Sequence, residues 1–147
     1  MKNILVLVVV LCVGFSFFYA CAQKEEEKEM PKMDPMAQLQ KSIERGMALF
    51  SDTTLGTSGL TCNSCHMEGG TREGKMGDQT LAAFDNLGAK YPKYFMMAKR
   101  VMTLDQVVIY CIVNPLKGKP PAWDDQKLTD LTAYVASVKP MKMEKEK

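Results

Sequence analysis

The sequence predicts a small all-α domain with long loops, and three observations carry that expectation. Apolar residues recur at three- and four-residue spacing in several segments, the period of a helix with one buried face. No run alternates convincingly between apolar and polar, as a half-buried strand would. The stretch from Ser51 to Gly77 is dense in Gly, Thr and Ser and reads as loop. At 147 residues, 46% hydrophobic and 24% charged, the chain is globular in bulk and sized for one domain.

In chain order, the first element is an export signal. Met1-Lys2-Asn3 carries one positive side chain, Ile4 to Phe18 is an uncharged apolar run, and Lys24 to Glu29 is strongly charged. The apolar run is shorter than the ~20 residues a spanning helix needs. Two cleavages suit the pattern. Ala20-Cys21-Ala22 is a small-x-small site for release after Ala22. Tyr19-Ala20-Cys21 resembles a bacterial lipobox with Cys21 as the lipidated first residue, although Phe18 and Tyr19 depart from the usual residues there. The charged stretch directly after Cys21 favours the lipid anchor, with residues 1–20 as signal peptide. Either route places the mature chain in the periplasm or cell envelope. Ala22, rather than Asp, after Cys21 points to the outer membrane.

Residues 21–38, rich in Lys, Glu, Met and Pro, cannot bury a core and read as a charged flexible tether. Residues 141–147 form a similar charged tail, which leaves 39–140 as the folded domain. Within it, Leu39, Ile43, Met47 and Phe50 form the first helical stripe. Leu81, Phe84 and Leu87 suggest a short helix that Gly88 ends. Leu104, Val107, Val108, Cys111 and Ile112 form the next stripe. Leu128, Leu131, Val135 and Val138 form the last, with Asp124 or Asp125 placed to cap it and Pro140 to stop it. A domain this small and loop-rich needs a staple.

The staple is Cys62-Asn63-Ser64-Cys65-His66, the attachment signature of c-type haem. One helical turn presents two thiols to the two vinyl groups of a single porphyrin, and the next residue brings an imidazole to the iron. Cys62 and Cys65 are therefore the expected thioether residues of one covalent haem c, and His66 its proximal axial ligand. A zinc site would need a second Cys pair or more His. The chain has one His in all, which excludes multi-His metal centres and His/His multihaem proteins. A formal net charge of +2, without a basic stripe interleaved with aromatics, gives no case for nucleic acid.

The sixth ligand is less direct. Met102, Met96 and Met97 are candidates among 12 methionines, a residue that more often fills gaps in a core. Cys111 lies on an apolar helical face with Leu104 and Val108. It is the thiol left over once Cys62 and Cys65 are spent, Cys12 leaves with the signal and Cys21 is lipidated or removed. Two readings stand side by side: a small buried hydrophobe and an axial thiolate.

Beyond the motif, the sequence resembles the class I cytochromes c. Arg45-Gly46-Met47-Ala48-Leu49-Phe50 is similar to the N-terminal helix of that family, and Leu131-Thr132-Ala133-Tyr134-Val135-Ala136-Ser137-Val138 to its C-terminal helix. The resemblance covers most of Leu39 to Val138 and implies a small cytochrome c fold with these helices crossing near Gly46 and Tyr134. The usual Met-Pro pair before the last helix is replaced by Lys119-Pro120-Pro121-Ala122-Trp123. A second resemblance is closer. Thr103-Leu104-Asp105-Gln106-Val107-Val108-Ile109-Tyr110-Cys111, followed by Lys117-Gly118-Lys119-Pro120, is similar to the Cys-ligated haem domain of thiosulfate dehydrogenases and of SoxA-type sulfur-oxidation cytochromes. It implies that Cys111 is the distal haem ligand, with a low potential because a thiolate stabilises ferric iron. Where that family carries arginines near the cysteine, this chain has Met97 and Val107, with Lys99 and Arg100 close by.

The function expected is single-electron transfer between exported redox proteins, with a sulfur-oxidation setting implied by the resemblance. Lys75, Lys90, Lys93, Lys99, Arg100, Lys117 and Lys119 could form a basic rim around the haem edge, or be ordinary solvated lysines and arginine. The alternative is a subunit of a thiosulfate dehydrogenase-like enzyme acting on a small sulfur substrate at the Cys-ligated haem. A single Cys-x-x-Cys-His and the missing arginines favour the electron-transfer protein over the enzyme. A gas sensor, in which Cys111 leaves the iron on reduction, ranks last because nothing resembles an output domain.

Overall fold

A computed structural model describes residues 34–140 of the chain. The expected export signal (residues 1–20), the expected lipidation site Cys21 and the expected charged tail 141–147 lie outside the described residues. Among those described, no helix is long and apolar enough to cross a membrane.

Helix α1 spans Pro35–Phe50, starting inside the segment read as tether. Its start is chemically well marked: Asp34 accepts a hydrogen bond from the Met36 N–H at 2.9 Å, and Pro35 takes the first helical position, where no N–H is needed. Which face it buries differs from expectation. Ser42, Gly46 and Phe50 are buried, at four-residue spacing, whereas Leu39 and Met47 are 46% and 57% exposed. The reason lies in the last helix, α5, Gln126–Ser137, which crosses α1 at Gly46. A Cβ at Gly46 would stand 2.0 Å from the Asp130 carbonyl oxygen and 2.7 Å from Tyr134 Cβ. Close backbone approach therefore selects the small and polar Ser42 and Gly46 at the crossing, and Phe50 is the one large apolar residue of α1 that is fully buried.

The crossing is locked by a buried carboxylate. Asp130 is 2% exposed and accepts from Ser42 Oγ at 2.5 Å, Arg45 Nε at 2.6 Å, Arg45 Nη2 at 2.8 Å and Gln126 Nε2 at 2.8 Å. A buried charge is tolerable only when its lone pairs are met this completely. These bonds hold the Asp130 carboxyl down at about 2, with Arg45 as the main cause.

Helix α2 is the single turn Cys62–Cys65, and a second short turn, α3, is Leu87–Lys90. Helix α4, Leu104–Val113, opens on a capping box in which Gln106 Oε1 accepts from the Thr103 N–H at 3.1 Å. Of the two acids before α5, Asp125 is the cap, accepting from the Lys127 N–H at 2.8 Å. The core lies between α1, α4 and α5 and contains Phe50, Phe84, Val108, Ile112, Leu131 and Val135.

Two expectations are corrected. The domain is not all-α: it carries two antiparallel hairpins, β1 Gly74–Met76 with β2 Gln79–Leu81, and β3 Lys93–Phe95 with β4 Arg100–Met102. Three-residue strands are too short to show alternation in sequence, and their turns rest on single backbone choices at Gly77 (φ 60°) and Lys99 (φ 52°). The helix expected over Leu81, Phe84 and Leu87 is also absent. Leu81 ends β2, Phe84 sits in a loop with its N–H on the Gly70 carbonyl at 2.8 Å, and Gly88 lies inside α3 rather than ending a helix. The three positions at helical spacing belong there to three separate local structures.

Candidate haem site

The motif turn is held from three directions. At its start, Ser64 Oγ accepts from the Thr61 N–H at 3.0 Å, and at its end the His66 N–H donates to the Cys62 carbonyl at 2.9 Å. Asn63 Oδ1 accepts from the Gly69 N–H at 2.8 Å, while the Tyr134 hydroxyl donates to the Gly69 carbonyl at 3.0 Å. That last bond fixes the loop after His66 to α5. Gly74 brings β1 against the turn so closely that a Cβ would stand 1.8 Å from the Cys65 carbonyl oxygen.

The His66 ring is clamped by aromatics. Phe84 is 4.6 Å away between centroids and tilted by 47°; Phe50 is 6.4 Å away. Phe50 in turn meets Phe84 and Tyr134 edge-on, at 6.0 and 5.2 Å. Phe84 fits only because residue 70 is glycine, at φ 86°, where a Cβ would stand 2.3 Å from its ring. Burial lowers the His66 pKa and so keeps the imidazole neutral, the form that ligates metal.

Cys62, Cys65, His66 and Cys111 all line one mainly apolar cavity of about 420 Å³. Leu104 and Val108 of α4 and Leu131 and Val135 of α5 supply much of its wall. Burial pushes the Cys111 thiol up to about 11, with the Cys65 sulfur as the second cause, and the Cys62 thiol up to about 12. Such thiols carry a thiolate only beside a cation or lose the proton to a covalent bond. Among the described residues, no group of three or more His, Cys, Asp or Glu converges on a point suited to a bare metal ion. The sulfurs and the imidazole border an apolar slot, an arrangement suited to a flat macrocycle with a central metal.

The methionines divide. Met96 and Met97 line the cavity, at 76% and 37% exposure, whereas Met102 is buried at 2% in β4 and is not part of the lining. The basic rim divides as well. Lys93 lines the cavity; Lys90 is tied to Asp85 at 2.5 Å; Lys117 and Lys119 border a second cavity beside Leu55 and Pro121. Phe84 and Phe50 as clamps of the imidazole, and hairpin β3–β4 as cavity wall, were not foreseen. A signal for the hairpin exists in the strand-forming residues Tyr94, Phe95 and Val101, which flank Met96-Met97-Ala98.

Residues 45–143 match the family model described as SoxA/TsdA, cytochrome c domain. The chain belongs to this family. The SoxA/TsdA domain carries covalently bound haem c, which the cavity and its two motif thiols fit. Over 108 residues the chain is 32% identical to a thiosulfate dehydrogenase of Allochromatium vinosum, covering 69% of this chain and 39% of that protein. Over 94 residues it is 29% identical to an L-cysteine S-thiosulfotransferase subunit SoxA of Pseudaminobacter salicylatoxidans, covering 64% and 29%. The matches thus span well under half the length of either curated relative.

Proposed function

We propose that this SoxA/TsdA-type cytochrome is an exported one-electron carrier in sulfur-compound oxidation, with one haem held through Cys62 and Cys65 and ligated axially by His66 and Cys111. The observation that carries the reading is the shared cavity. Both the motif histidine and the lone α4 cysteine border the same mainly apolar cavity, and Met96, which also borders it, is 76% exposed.

The haem supplies one-electron redox chemistry: one electron enters or leaves, and no atom or group is transferred. The chain's residues supply the rest. Phe50 and Phe84 fix the orientation of the imidazole, and the apolar wall keeps water from it. Cys111, anionic when bound to the metal, favours the oxidised state and sets a low potential. Spectroelectrochemistry of the haem-loaded protein beside Cys111→Met tests this. The potential should rise sharply in the variant; an unchanged potential would remove Cys111 from the ligand set.

Export follows from residues 1–20, and Cys21 is the proposed lipid anchor in the outer membrane. One anchored cysteine with several acyl chains holds stably, since each buried CH₂ contributes about 0.8 kcal/mol. Cys21→Ala should release the protein from membranes in cell fractionation.

A second reading is a subunit of an enzyme acting on thiosulfate or a related compound. The names of both relatives favour it, as does Lys93, a cation in the cavity wall that could meet an anionic substrate. Thiosulfate-dependent reduction of an artificial acceptor, lost in Cys111→Met, would establish that reading in place of the first.

A further inference from the structure

The haem cavity is mainly apolar, yet a haem is not apolar throughout. Its vinyl edge is taken up by the bonds to Cys62 and Cys65. The opposite edge of the macrocycle carries propionate side chains, ionised at neutral pH. A carboxylate against an apolar wall is costly unless a cation or strong donors meet it.

Among the described residues bordering the cavity there is one lysine or arginine, Lys93, and no Asp or Glu. Lys93 opens strand β3, where its backbone pairs with that of the buried Met102. Its Nζ stands 4.8 Å from the centroid of the Tyr91 ring. Tyr91 borders the cavity too and packs against the core. The ring therefore steadies the ammonium without neutralising it. None of the ion pairs among the described residues uses Lys93, whereas Lys90, one turn of chain earlier, is taken by Asp85. Lys93, Gln79 and Thr80 all border the cavity and are exposed, so they stand at its mouth. Phe50 and Leu131, which also border it, are buried and form its floor.

We propose that Lys93 is the counter-charge of the haem propionates and holds the carboxylate edge of the haem at the cavity mouth, with Gln79 and Thr80 as neutral donors beside it. The proposal rests on the reading of one haem held through Cys62 and Cys65, and it makes Lys93 a positioning residue outside the Cys-x-x-Cys-His motif. Two consequences follow from charge alone. A cation fixed at the haem edge disfavours the extra positive charge of ferric iron, so Lys93 raises the potential that a Cys111 thiolate lowers. Lys93 is also the one cavity cation open to an anionic substrate. Once it is paired with a propionate it is spent, which favours the electron carrier over the thiosulfate-acting subunit.

The test uses the full-length, haem-loaded protein beside Lys93→Gln, Lys93→Arg and Lys99→Gln. Lys99 is an exposed cation of the same hairpin that does not border the cavity, and its variant is the control. The readouts are the propionate bending band in resonance Raman spectra and the midpoint potential. In Lys93→Gln the band should shift and the redox equilibrium should move about threefold toward the ferric state. Lys93→Arg should keep both parent values, and Lys99→Gln should leave the band in place. Lys93→Gln matching Lys99→Gln in both readouts would overturn the assignment. Loss of haem from Lys93→Gln but not from Lys93→Arg would support it, because only the arginine keeps the charge; loss from both would overturn it. Thiosulfate titrated into the ferric protein is the competing ligand. A saturable spectral change in the parent that vanishes in Lys93→Gln, with the propionate band unmoved, would overturn the proposal and give Lys93 to an anionic substrate. The pyridine haemochrome of the parent reads haem attachment separately. A double-thioether band together with an unmoved propionate band in Lys93→Gln leaves the attachment standing and only this proposal falls. Absence of covalent haem from the parent overturns both.

Discussion

Replacing Asp130 by Asn removes the charge at the centre of the α1–α5 crossing and barely changes side-chain volume. The carboxylate accepts three hydrogen bonds on Oδ1 and one on Oδ2. In the amide, one terminal atom becomes a donor, and with Oδ1 kept as acceptor that donor faces Arg45 Nε. The size of the effect follows from proton linkage. The Asp130 carboxyl is held at about 2 against an ordinary 3.8, and each tenfold in acidity is worth about 1.4 kcal/mol. The charged network therefore contributes about 2 kcal/mol. Since the folded-state value is the depressed one, this stability is fully present above about pH 4 and is lost as pH falls toward 2. Urea unfolding of the haem-loaded protein, followed by far-UV circular dichroism, reads it directly. Asp130→Asn should be less stable than the parent by about 2 kcal/mol at pH 6, with the gap shrinking below about 1 kcal/mol at pH 2.5. A gap that is the same at both pH values, or under about 0.5 kcal/mol at pH 6, would show that the Asp130 charge does not stabilise the crossing.

Further substitutions probe the same frame. Gly46→Ala forces a methyl into the Asp130 carbonyl and Tyr134 Cβ, so the helices must part, at a cost of about 1–3 kcal/mol in urea unfolding. Tyr134→Phe removes the bond to the Gly69 carbonyl and should cost about 1 kcal/mol while leaving the haem absorption spectrum intact. Phe84→Ala strips the closer of the two rings that clamp His66. It should cost about 3–5 kcal/mol and broaden the axial-histidine signals in paramagnetic NMR of the ferric protein. Cys62→Ala leaves one thioether, and the pyridine haemochrome band should move to the single-thioether position with the haem still covalently attached.

The sequence disclosed most where chemistry is local. Cys62, Cys65 and His66 are adjacent, so their joint purpose needs no knowledge of the fold. The stripes of α4 and α5 were equally legible, because each helix buries its apolar face against the core. The first helix misled for a physical reason: its buried face is chosen by a backbone approach at Gly46 and by a carboxylate 85 positions away from Arg45. Hydrophobic periodicity cannot report either. The hairpins were missed because three-residue strands carry no period, and the clamp on His66 because Phe84 reaches it from a loop. That Cys111 and the motif share a cavity was implied by family resemblance rather than by any pattern within α4.

The most direct test of the central claim is the ligand set of the ferric protein, read by electron paramagnetic resonance and near-infrared absorption beside Cys111→Ala. With Cys111 on the iron, a low-spin, thiolate-type signal is expected that disappears in the variant while Cys62 and Cys65 keep the haem attached. A methionine-to-iron charge-transfer band that survives the substitution would contradict it and make Met96 or Met97 the ligand.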